Sequence, residues 1–93
     1  MVVGILRIEL HIPGNNSLKA KRQVLKSLKD RINNNFNVSV AEVDDANKWQ
    51  RATVGIAAVG SDKRYVNGIL SRVIDAINQF RLVELIDCQM EML

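Results

Sequence analysis

Residues 17–32 read SLKAKRQVLKSLKDRI, and their spacing decides what the chain can fold into. Advanced by about 100° per residue, the stretch separates into two arcs. Leu18, Val24, Leu25, Leu28 and Ile32 form an apolar stripe, the buried side of a surface helix. Lys19, Arg22, Lys26 and Lys29 form a second arc beside it, a straight row of positive charge on a rigid rod. Lys21 alone breaks the sorting, because its angle falls near the centre of the apolar arc.

On either side of this helix the periodicity changes from 3.6 to 2. Val2 to Ile12 alternates, with Leu6, Ile8, Leu10 and Ile12 on one row and Arg7, Glu9 and His11 on the other, which Val3 and Ile5 extend. Pro13-Gly14-Asn15-Asn16 ends that strand with turn chemistry, and Asn16 or Ser17 is the expected helix cap. The helix fades at Asn33-Asn34-Asn35, where one asparagine is expected to take a left-handed cap. Phe36 to Val43 alternates again with Phe36, Val38 and Val40 inward, and Asp44 to Lys48 is a polar loop. Trp49 to Val59 is the next strand, burying Ala52, Val54, Ile56 and Ala58.

Gly60-Ser61-Asp62 breaks the third strand and caps a second helix. In that helix Val66, Ile69, Leu70, Val73, Ile77 and Phe80 form one apolar arc. Gly68 sits inside it, at a cost of about 1 kcal/mol relative to alanine unless close packing needs it. Leu82 to Met92 is the last strand, with Ile86, Cys88, Met90 and Met92 toward the helices and Leu85, Asp87, Gln89 and Glu91 away. The order is β-α-β-β-α-β, the ferredoxin-like plan of the α+β class. Right-handed crossovers place both helices on one face of a four-stranded antiparallel sheet, with the first and third strands central. Val24, Val38 and Ile86 join the other inward residues in the expected core.

Ninety-three residues make one domain, 1–93, close to the smallest size at which a single core is comfortable. No apolar run reaches a membrane span and no basic leader opens the chain; one cysteine, Cys88, makes no internal disulfide. The cytoplasm is the expected location. The net charge of +3 is unevenly placed, with six basic side chains against one acid in residues 17–31 and seven against nine elsewhere. Such a cluster points to a polyanionic partner.

Chemistry is harder to find. His11 is the only histidine, so it builds neither a metal site nor a triad by itself, and no cofactor is expected. Glu42, Asp44 and Asp45 lack the spacing of a calcium loop and read as a solvated turn. Trp49 and Tyr65 are too separated to stack bases, and Arg7, Glu9, Arg51 and Thr53 occupy positions where an RNA-reading sheet carries aromatics. The turn after the first strand holds no arginine, which argues against an acylphosphatase. No enzyme activity is expected. The helix start is different: Ser17, Lys19, Lys21 and Arg22 crowd a helix N-terminus whose free N–H groups suit an anion.

The runs Ser17-Leu18-Lys19-Ala20-Lys21-Arg22, Phe36 to Asp44 and Trp49-Gln50-Arg51-Ala52 together closely resemble the YlxP-like family of small bacterial proteins. The resemblance covers essentially the whole chain. It implies a ferredoxin-like fold, no established activity, no catalytic residues to carry over, and a genomic association with transcription, translation and ribosome maturation. Two functions are expected from residues and resemblance together. One is a non-catalytic module that binds RNA or the ribosome through Ser17, Lys19, Lys21, Arg22, Lys26 and Lys29. The other is a small-anion-binding regulatory dimer that uses only the helix start. A homodimer through the open sheet face or a sheet edge is expected in either case.

Overall fold

The alternating stretches become four strands and the two 3.6-periodic stretches become two helices. In the computed structural model, which describes residues 1–93, they are β1 (Val2–His11), α1 (Leu18–Asn35), β2 (Ser39–Asp44), β3 (Arg51–Gly60), α2 (Lys63–Gln79) and β4 (Glu84–Met92). All pairings are antiparallel, in the order β2-β3-β1-β4. β1 and β3 are therefore central and β2 and β4 are edges, the ferredoxin-like arrangement. Leu6, Ile8 and Leu10 of β1 and Ala52, Val54, Ile56 and Ala58 of β3 lie in one core with Leu25, Leu28 and Ile32 of α1 and the apolar arc of α2. One core of this composition requires both helices on the same face of the sheet.

Side chains fix the helix ends. Ser17 Oγ accepts the Ala20 N–H at 3.0 Å and an Asp62 carboxylate oxygen accepts the Tyr65 N–H at 2.9 Å, each filling an otherwise orphaned donor. α1 does not end on a left-handed asparagine. Phe36 closes it in extended conformation, its N–H returning to Ile32 O, while Asn35 Nδ2 donates to Arg31 O at 2.7 Å. Phe36 packs against the core from that cap and not from a strand. Where α2 crosses β1, Gly4 is required: a Cβ there would stand 2.5 Å from Val66 Cγ1 and 2.8 Å from Leu70 Cδ1. Gly68 carries no such constraint, since a Cβ would meet only Arg72 Nη1 at 4.0 Å.

Two bulges alter the alternation. Against Glu9 and Leu10 of β1, β4 supplies Asp87 and then Leu85, which leaves Ile86 as the extra residue. Leu85 packs on the core and Ile86 is 46% exposed, so the expected orientation is reversed at these two residues and correct from Asp87 onward. β2 has a matching irregularity, with Val43 the extra residue between Glu42 and Asp44. Val24 and Val38 are half-buried at the core margin. Trp49 lies in the β2–β3 loop, outside β3, and is 54% exposed.

Candidate functional site

α1 holds its charged row where the sequence places it. Lys19, Arg22, Lys26 and Lys29 are all exposed, on successive turns. Arg22, Lys26 and Lys29 share a groove of about 360 Å³ with Leu25 as its apolar base, and Asp30 and Glu42 also line it. Because β2 is an edge strand, this groove runs between the helix and the rim of the sheet. Lys26 donates to an Asp30 carboxylate oxygen at 2.8 Å, a hydrogen bond and charge pair that hold its ammonium above the usual lysine range. Lys19, Arg22 and Lys29 have no acidic partner within 4.0 Å.

Lys21 is different, and the expectation that it contacts an anion is corrected. The residue is 1% exposed, its stem surrounded by the core. Its ammonium donates to the backbone oxygen of Asp45 at 2.6 Å and stands 2.9 Å from Glu42 Oε2. The latter contact is poorly aligned for a hydrogen bond and acts through charge. Lys21 thus presents no donor to an outside anion; its position on the apolar arc reflects a buried ion pair.

The same node removes Glu42 and Asp45 from the solvated turn. Glu42 shares the inward parity of Val40 along β2, which carries its carboxylate to Lys21. Asp45 takes the left-handed backbone region, φ 64°. Its carbonyl also accepts the Lys48 N–H, and its carboxylate receives Thr53 Oγ1 at 3.1 Å and stands 3.2 Å from Lys48 Nζ. The Lys48 bond foremost, with Thr53 assisting, holds the Asp45 carboxyl below the usual carboxylate range against a partial loss of hydration. Thr53 is 1% exposed although it faces away from the helices, because this loop folds over it.

The helix start is also occupied. Ser17 Oγ is committed to its cap. Asn15 is buried; its Nδ2 donates to the Ser17 and Trp49 carbonyls, and its own carbonyl accepts Gln50 Nε2 at 3.1 Å. The turn after β1 is therefore tied to the β2–β3 loop, and the crowding at the N-terminus resolves into structural bonds. What remains outward is the row from Lys19 to Lys29.

Elsewhere chemistry stays sparse. His11 Nδ1 lies 3.2 Å from Glu84 Oε2 at the exposed end of β1. Cys88 is half-buried on the helix side of β4, and burial first, then the Asp87 charge, raises its thiol, which disfavours a reactive thiolate. No three His, Cys, Asp or Glu side chains gather where a metal ion would fit. No helix is long and apolar enough to cross a membrane.

Comparison with solved structures places the fold among small α+β domains. The chain superposes on a C-terminal segment of the alpha subunit of aIF2 from Pyrococcus abyssi with a TM-score of 0.53 at 17% identity, covering 98% of this chain and 49% of that one. It is equally similar to protein YJCS, with a TM-score of 0.53 at 13% identity and 96% coverage of both chains. In sequence it is 40% identical over 83 residues to the uncharacterized protein YlxP of Bacillus subtilis (strain 168), covering 89% of this chain and 90% of that protein. A family model described as a protein of unknown function (DUF503) matches residues 3–90, and the chain belongs to that family.

Proposed function

We propose that the protein is a non-catalytic RNA-binding module, associated with the ribosome, that holds a phosphate backbone along α1. One observation carries this reading: Lys19, Arg22, Lys26 and Lys29 stand exposed on one face of one helix, and three of the four have no acidic partner. Successive cations are separated by three or four residues, about 4.5–6 Å along the axis, of the same order as the spacing of phosphates along a strand. Such contacts position a protein without reading bases. The rival use of the helix start as a small-anion pocket loses support, since Lys21, Ser17 and Asn15 already bond within the protein.

The test is a titration of the protein with a short RNA duplex, followed by NMR and repeated at several salt concentrations. Shifts should run from Lys19 to Lys29, and log affinity should fall against log salt with a slope of about −3 to −4 for four neutralised phosphates. Lys26→Glu combined with Lys29→Glu should abolish binding without changing the fold. Shifts confined to residues 14–22, reproduced by inorganic phosphate alone, would favour the anion pocket. Absence of shifts at low salt would remove both readings.

A further inference from the structure

The sheet face away from the helices departs from the pattern of a solvated antiparallel sheet, in which outward residues are polar. Across β1, β3 and β2 its outward residues include Ile5, Ser39, Ala41, Val43, Gly55 and Ala57, which line a shallow trough of about 450 Å³. The small residues Gly55 and Ala57 lie on β3, and the larger Ile5 and Val43 rise on the neighbouring strands. The β2 bulge shapes one wall: Val43 is 52% exposed and leans so far over β3 that a Cβ on Gly55 would stand 3.0 Å from its Cγ1. One charge lies in the trough, Arg7 on β1, whose guanidinium stands 3.4 Å from Asp44, and Asp87 and Glu91 face outward on β4 to the side.

We infer that this trough is the contact surface of a symmetric dimer, two copies of the chain packed sheet against sheet along β3. The register carries the inference. Ile5, Ala57 and Ser39 lie side by side across β1, β3 and β2, as do Arg7, Gly55 and Ala41. A two-fold axis along β3 superposes β1 of one copy on β2 of the other. Ile5 then lies over Ser39 and Ala41 of the second copy, while the small residues of the two β3 strands meet at the axis. One patch supplies both the bulk and the hollow, as a two-fold contact requires.

The same operation leaves β4 of each copy beyond the contact, so Asp87 and Glu91 keep their water. Two strands of ten residues and one of six, about 4.8 Å apart, span roughly 410 Å² per copy, about 800 Å² in all. That is the size of a weak, transient contact, so the dimer forms only toward the upper end of the concentration range, between micromolar and millimolar. The inference is independent of the RNA reading, because α1 lies on the other side of the sheet.

The test is sedimentation of the full chain from low micromolar to near-millimolar concentration, with Val43→Asp and Ala57→Glu beside the parent. The parent should shift from the 10.4 kDa monomer to twice that mass, and each variant should weaken association at least tenfold. Ala57 is half-buried, so circular dichroism at low concentration checks its variant; Val43 is exposed, and its variant carries the test if the other fails to fold. A parent that stays monomeric throughout overturns the inference. So does a dimer that survives Val43→Asp, which would place the contact on an edge or a helix.

Discussion

At the scale of single residues, Lys21 shows what a charge on an apolar arc means. Its angle is legible in the sequence, and so is the conflict with its neighbours. Its partner is not, because pairing with Glu42 depends on β2 lying beside α1 and on a carboxylate that continues the parity of Val40. Removing one member of a buried pair leaves the other uncompensated, whereas replacing both with apolar groups is often neutral or stabilising. Lys21→Met should therefore cost about 3 kcal/mol in urea unfolding, a figure at the low end because a quarter of the Glu42 side chain still meets water. Lys21→Met with Glu42→Leu should recover most of that loss. A single variant as stable as the parent would mean that the pair stabilises nothing.

Asp45 gives the acid limb of stability its shape. A carboxylate whose folded value lies below the unfolded value near 3.9 contributes stability that is complete above that value. The contribution disappears as pH falls through the depressed folded value. Asp45→Asn should therefore flatten the loss of stability below about pH 4 relative to the parent, when melting temperature is followed against pH. The sequence marks Asp45 only as one acid among three. Neither its left-handed backbone nor the lysine and threonine that converge on it has a local signal.

At the scale of elements, the two helices and the order of the strands are legible, because each stretch has one dominant period and a clear stop. The caps at Ser17 and Asp62 follow the same logic. Alternation fails where a bulge intervenes: a period-2 pattern read through Leu85, Ile86 and Asp87 assigns the wrong face, since nothing in those residues announces an extra one. Gly68 is the reverse case, a residue whose cost is legible and whose possible justification is absent. With only Arg72 near its missing Cβ, Gly68→Ala should stabilise α2 by about 0.5–1 kcal/mol, visible as a higher melting temperature. A lower melting temperature would reveal a packing demand at that turn.

At the scale of the whole molecule, the sheet divides two surfaces of different chemistry. Six of the thirteen basic residues lie within α1 or at its edges, and the apolar trough lies on the other side of the four strands. The basic row is legible because helical angle alone defines it. The trough is only half legible: Ile5 announces itself, but Gly55 and Ala57 are small residues whose meaning depends on the β2 bulge beside them. Residues so separated, with no shared partners, should act additively. Lys26→Glu with Lys29→Glu should therefore abolish binding to a short RNA duplex while leaving the sedimentation of the free protein unchanged. Val43→Asp should reverse that outcome, giving a monomer that binds the same short duplex with parental affinity and parental salt slope. The two sets combined should fold, sediment as a monomer and bind nothing. If Val43→Asp alone weakens binding to the short duplex, the sheet face belongs to the RNA contact, and the division of labour between the two sides of the sheet is wrong.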